Sequence, residues 1–412
     1  MKCEETVVIF KIEIENSCSI RDRQVLDLRV PANAPANSDR LASCWTGSVE
    51  RAPKIVAIFG ANGSGKSNLL RTISSLASFI SSSFSFVLRN QTPFDPFYDD
   101  ASLNKPTRLK LWFSWLDHSR ATDQGEVPEC PHCYELSIGN DGILNQKVMG
   151  EGIFYWPTSS RRKTRLIERF EDGSVKASKV FGLAGYKGAL NKVLRPNASV
   201  ISTLAQLNHP VADTIARSTL KIRSNIHYQK VERPEVIALQ KYMSHPELVD
   251  RFNQEIDRTD FGGGVLEIGH DQERPQAWFR HDALTLPIPP ASESHGTRQF
   301  LKLFPLISGS LDNGTPLIID EMDVAIHPLM LREIIGWFHD PVRNRFHSQL
   351  WITCNGASLL EELSKDEIMF CEKDPQGRTR VYGLNGIKGV RRNTNYYRKY
   401  LDGDFGAVPQ NG

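Results

Sequence analysis

At 412 residues, with 40% hydrophobic and 24% charged content, the chain reads as an ordinary soluble globular protein, long enough for one large domain with insertions or for two domains. Lys plus Arg (50) nearly balances Asp plus Glu (48), and the net charge of +2 excludes a global pull toward nucleic acid or anionic membrane, leaving only local patches. Cys3, Cys18, Cys44, Cys130, Cys133, Cys354 and Cys371 are odd in number and read as free thiols in a reducing compartment; the opening MKCEETVVIFKIEIEN lacks an unbroken apolar core and no stretch reaches membrane-span length, so a cytoplasmic location without a membrane partner is expected.

In chain order, 6–14 (TVVIFKIEI) and 25–29 (VLDLR) have strand patterns, and 31–53, rich in Pro, Ala, Asn and Ser, reads as loop. Residues 55–59 form a short apolar run, a glycine-rich turn follows, and 68–79 carries helical spacing. Further strands are expected at 109–116 and 134–138, beside the first sheet. Residues from about 155 to 260 are more polar and more helical, in the manner of an inserted arm or lid. Strand patterns resume at 264, followed by a helix at 296–309, the strand 316–320, a helix at 328–339 and the strand 350–354. The partition expected is 1–150 and 262–412 as two halves of one nucleotide-binding domain, with 151–261 inserted between them.

The turn Gly60-Ala-Asn62-Gly63-Ser64-Gly65-Lys66-Ser67, followed by Asn68, fits G-x-x-x-x-G-K-[ST] between a strand and a helix start. Glycines let successive N–H groups turn inward on phosphate oxygens, and the helix N-terminus adds a favourable dipole. Lys66 is then expected to bridge the outer phosphates of ATP, and Ser67 to hold Mg²⁺. Leu317-Ile-Ile-Asp320-Glu321 is an apolar run ending in two acids: Asp320 is placed to reach the metal, leaving Glu321 to orient and polarise a water.

Together AIFGANGSGKSNLL, ESHGTRQFLKLFPLI (293–307), PLIIDEMDVAIHPLMLREII (316–335) and the stretch from LWITCNGASLLEEL to YLDGDFGAVPQ resemble the ABC-like AAA ATPases of prokaryotic antiphage and abortive-infection systems, relatives of SMC, RecF and OLD-type ATPases. The resemblance implies an α/β fold: an ABC/RecA-like P-loop core, an additional antiparallel sheet and an inserted, mainly helical arm. It implies that Ser294, Gly296 and Thr297, 26 residues before Asp320 counted from Ser294, form a signature that contacts nucleotide held by another subunit; a simple helix cap is the other reading of the same residues. It also implies at least a homodimer, ATP hydrolysis, and a separate nuclease or toxin effector as partner; slow hydrolysis is expected from the departure at Asn355. A RecF/SMC-like DNA-repair ATPase and a nucleotide-locked scaffold are the competing readings. Asn355 stands where these relatives carry a histidine; an amide donates a hydrogen bond but does not titrate near neutral pH. Asp323 is expected either at the subunit contact or as a helix cap, and His327 as a partial substitute for the missing histidine. Gln91 is the nearest candidate for a metal-side glutamine.

Weaker signals remain. Cys130-Pro-His132-Cys133 has metal-ligand spacing without a second pair, so a loop with free thiols competes with a zinc knuckle that shares His118 or forms across a dimer. Arg161-Arg-Lys-Thr-Arg165, and Arg391-Arg392 with Tyr396 and Tyr397 nearby, are basic runs that suit nucleic-acid phosphates or simply solvated faces. Residues 261–264 (FGGG) read as a flexible turn.

Overall fold

The computed structural model describes residues 7–30, 38–86, 92–117, 119, 127–140, 146–219, 221–226, 234–259, 264–271, 274–392 and 394–408. Ile55–Phe59 is buried at every position, which suits an interior strand of a parallel sheet covered on both faces. It lies in a six-stranded sheet ordered Arg223–Ser224, Leu317–Ile319, Leu350–Thr353, Ile55–Phe59, Ile368–Lys373, Thr379–Gly383. All neighbours are parallel except the last pair. The strand ends therefore converge on one edge, the usual place for a ligand in an open α/β sheet.

Alternate side chains of this sheet enter two different cores, as a period of two requires. Val56, Ile58, Ile318 and Trp351 join the core shared with the helix Lys66–Ser82 and a second sheet. Ile55, Ala57, Phe59, Leu317, Ile319 and Ile352 face the helices His295–Asn313 and Pro328–His339. The second sheet is antiparallel and seven-stranded, ordered Val175–Ala177, Thr164–Arg169, Gln146–Tyr155, Glu129–Asn140, Thr107–Leu116, Ile9–Glu15, Gln24–Asp27.

The stretch expected as a helical arm from 151 opens instead with strand, because Gln146–Tyr155, Thr164–Arg169 and Val175–Ala177 complete the antiparallel sheet. Its helices then divide between the two cores. Val200–Gln206 packs on the Lys66 helix through Val200, Ile201 and Leu204, whereas Glu247–Arg258 turns Leu248, Phe252 and Ile256 toward the His295 helix. Glu151, fully buried, joins the antiparallel sheet to the Val200 helix: it accepts from Tyr134 (2.8 Å), Ser199 (2.5 Å) and the Val200 N–H (2.7 Å) at the start of that helix. Burial pushes its carboxyl upward.

Cys130 and Cys133 lie within the strand Glu129–Asn140, not in a loop. Positions three apart on a strand point to opposite faces, so the two thiols do not converge on one ion; both are buried, and desolvation raises their pKa values. His118, Gln91 and residues 261–263 lie outside the described residues. No helix among the described residues is long and apolar enough to cross a membrane.

Candidate nucleotide site

The strand Ile55–Phe59 runs directly into the glycine turn. Gly60 has φ 152° and Gly65 φ 105°. A Cβ on Gly60 would sit 2.2 Å from the Cys371 carbonyl oxygen, and one on Gly65 2.1 Å from the Thr379 hydroxyl, so both positions need glycine for space as well as for torsion. The loop is braced from two sides. Thr379 Oγ1 donates to the Ser64 carbonyl (2.8 Å) and meets Ser19 Oγ (2.8 Å), which accepts from Asn68 Nδ2 (2.9 Å). From the far end of the chain, the Ala407 carbonyl accepts from the Ala61 N–H (3.0 Å). Asn62 and Gly63 are exposed at the crest.

Lys66 is buried at 7% exposure, and its ammonium donates to the carbonyls of Gly60 (2.6 Å) and Ala61 (3.1 Å). Burial lowers its pKa from the ordinary lysine value, against the opposing charges of Asp323 and Asp320. The helix it opens has no side-chain cap and no acid in its first turn; its free N–H groups and positive dipole end face the loop, an arrangement complementary to an anion. Ser64 Oγ is buried over Gly60, without a hydrogen-bond partner among the described residues.

Beside the loop, Ser67 Oγ donates to Asp320 Oδ1 (3.1 Å), and Thr353 Oγ1 donates to the same oxygen (2.5 Å) while accepting from the Glu321 N–H (2.7 Å). Asn225 grips the Asp320 main chain from the other side, accepting from its N–H (2.9 Å) and donating to its carbonyl (3.1 Å). Glu321 is exposed with φ 53° and ψ 42°, a left-handed conformation that a non-glycine residue adopts at a cost of about 1–2 kcal/mol. Hard oxygens on Ser67 and Asp320 fit Mg²⁺, which takes few protein ligands and completes its shell from water and phosphate.

Asp323 Oδ2 accepts from the N–H groups of Asn355 (2.7 Å) and Gly356. It thus ties the turn after Leu350–Thr353 to the turn after Glu321 within one chain, and leaves Asn355 exposed. Thr353, Asn225, Ser19 and Thr379 were not anticipated.

The strand order and the glycine turn together make a parallel α/β core with a P-loop at its strand ends. Residues 187–356 match the family model described as "AAA domain, putative AbiEii toxin, Type IV TA system". That span holds Ser294, Gly296, Asp320, Glu321 and Asn355, and the phosphate loop precedes it. Curated protein sequences give no match. Similar solved structures include the SMC head bound to the C-winged helix domain of ScpA, at 13% identity and TM-score 0.46 over 91% of this chain and 96% of that one. The SMC head domain from Thermotoga maritima is similar at 12% identity and TM-score 0.41, over 91% and 98%. What defines the core here is its own strand order and loop geometry.

Ser294 lies elsewhere on this core. It caps the helix His295–Asn313, accepting from the Thr297 N–H (3.0 Å). Thr297 itself is buried and meets Ser294 through its hydroxyl (2.8 Å), so it positions Ser294 instead of facing a ligand. Ser294, His295 and Gly296 open onto a surface cavity of about 750 Å³ with Val324, His327 and Leu329; none of its lining residues comes from the phosphate loop. His327 caps the Pro328 helix through the Leu329 N–H (3.3 Å). Val324 and Leu329 are apolar yet 60% and 62% exposed. Of the second basic run, Arg392 pairs with Asp366 (2.7 Å) and Tyr396 is buried against the core, while Tyr397 is half-buried beside it.

Proposed function

We propose that the protein binds ATP with Mg²⁺, hydrolyses it slowly, and pairs with a second copy of itself around shared nucleotide sites to govern a separate effector, a nuclease or toxin, in antiphage defence. The observation that carries this reading is the convergence of Lys66, Ser67, Asp320, Thr353 and Glu321 at one sheet edge. Backbone N–H groups of the loop and Lys66 bind the phosphates; Ser67 and Asp320 hold Mg²⁺. The ion, when bound, supplies positive charge to the phosphate oxygens. Glu321, set by the Thr353 hydroxyl, accepts a proton from water and orients it. Asn355 donates a hydrogen bond without exchanging a proton near neutral pH, which suits slow turnover.

Pairing of two copies is supported by the separation within one chain of the Ser294–Gly296 face from the loop, together with the exposed apolar Val324 and Leu329 beside it. The effector role follows from the family resemblance alone. Phosphate release and sedimentation mass of wild type and Glu321→Gln, with and without ATP, test the proposal. Glu321→Gln is expected to retain ATP, to lose turnover by about a hundredfold or more, and to persist as a dimer in ATP. Equal turnover in the two proteins removes Glu321 from the chemistry, and negligible turnover in both favours a nucleotide-locked scaffold; an ATP-bound monomer removes the shared site.

A further inference from the structure

A second cavity, of about 700 Å³, lies beside Phe10, at the end of the strand Ile9–Glu15 away from the phosphate loop. Ser19, which braces that loop, follows the strand's other end, on the order of 20 Å away. The indoles of Trp45, Trp112 and Trp156 line the cavity, each only half-buried. Trp45 packs at 5.5 Å on Phe10, and the Lys11 ammonium stands 4.3 Å over Trp112. Indole faces left partly in water are costly apolar surface, and a cavity of this size matches a small planar ligand.

The rim is built, not loose. Asp117 accepts from the N–H and hydroxyl of Thr158 (2.8 and 2.7 Å) and from those of Ser119 (3.0 and 2.6 Å). The Trp156 N–H donates to the Pro131 carbonyl (3.0 Å), and the Arg161 N–H closes the turn on Pro157 (2.8 Å). Arg161, with φ 53°, lines the cavity, and Arg162 follows it; both side chains are exposed. Among the described residues neither has an acidic partner, whereas Glu50, the carboxylate in the lining, is held by Arg29 (3.3 Å). Flat aromatic faces flanked by unpaired guanidinium groups complement a ligand that joins a π-face to a negative charge.

We propose that this cleft captures an unpaired nucleotide of a single-stranded nucleic acid, with the base against Trp156 and its neighbours and the adjoining phosphates on Arg161 and Arg162. A duplex hides its base faces and fits poorly. A proline-rich peptide would fill the aromatic surface but leave the arginines unused.

The test is fluorescence anisotropy of a labelled oligothymidylate strand on the full chain, beside the matching duplex and a proline-rich peptide. The single strand is expected to bind at least about tenfold tighter than the duplex, and Trp156→Ala to weaken it roughly tenfold while Trp156→Phe retains most of the affinity. Arg161→Ala with Arg162→Ala should reduce the slope of log affinity on log salt by about 1.4. Thermal unfolding and ATP binding are read on every variant, and if Trp156→Ala does not fold, the phenylalanine and arginine variants decide. Absence of binding at low salt, equal affinity in a folded Trp156→Ala, preference for the duplex, or capture of the peptide instead of the strand would each overturn the proposal.

Discussion

Thr353 has no place in the phosphate-loop motif or in the acidic pair, yet its hydroxyl holds both acids, donating to Asp320 and accepting from the Glu321 N–H. Valine keeps the shape and removes both bonds. Thr353→Val is therefore expected to cost about 1–3 kcal/mol of stability and to lower turnover roughly tenfold to a hundredfold through misplacement of Glu321, as read by thermal unfolding and phosphate release. Asn355→His should leave ATP affinity intact and raise turnover on the order of tenfold, because imidazole exchanges protons near neutral pH. Equal rates in the two proteins would leave position 355 without a part in the chemistry. Lys66 and Glu321 could be placed at the candidate site from the chain because each stands in a short contiguous motif. Thr353 and Asn225 could not: each acts on residues 32 to 95 positions away through an ordinary polar side chain, and only the sheet order brings them together.

At the scale of elements, the helix His295–Asn313 makes Ser294 do two things. It caps the helix, and in the proposed dimer it faces a neighbour's nucleotide. Substitutions separate these roles. Ser294→Ala should cost about 1 kcal/mol as a lost cap. Ser294→Asp keeps a capping oxygen, so the melting temperature should hold while the added negative charge opposes a triphosphate and abolishes ATP-driven pairing, as measured by sedimentation. A Ser294→Asp protein that still pairs in ATP would leave Ser294 a cap and nothing more. Helix and strand limits near the site were largely legible, since buried parallel strands such as Leu350–Thr353 are unbroken apolar runs. The Cys130 segment, for which a loop is one reading of the sequence, is strand despite Pro131. That proline sits where the neighbouring strand Gln146–Tyr155 ends, Tyr155 pairing with His132, and so its missing N–H spares that ladder.

For the whole molecule, Glu367 holds distant parts of the chain together. Buried at 0% exposure, it accepts from Arg40 (2.7 Å), His339 (2.6 Å) and the Ser364 N–H (2.7 Å). Burial alone would raise its carboxyl pKa, but the hydrogen bond and charge of His339, with Arg40, outweigh it and hold the group below the ordinary 4.5. A depressed carboxylate stabilises the fold fully above the unfolded value, and that contribution is lost as pH falls from about 4.5 through the folded value. Glu367→Gln should thus be about 2 kcal/mol less stable at neutral pH, with the gap to wild type closing on acidification in denaturant titrations. A gap that stays constant with pH would place the loss in packing. Such clusters escape a linear reading because Arg40, His339 and Glu367 belong to three separate local patterns.

The Asn225 side chain reproduces, on Asp320, the pair of bonds a main-chain neighbour would make, and so adds one rung to the parallel sheet beyond Arg223–Ser224. Asp320 stands at the rim yet is fastened on both flanks like an interior residue. In the proposed site, a cation arriving there would find the Asp320 carboxylate already oriented, and little conformational entropy would be surrendered on binding.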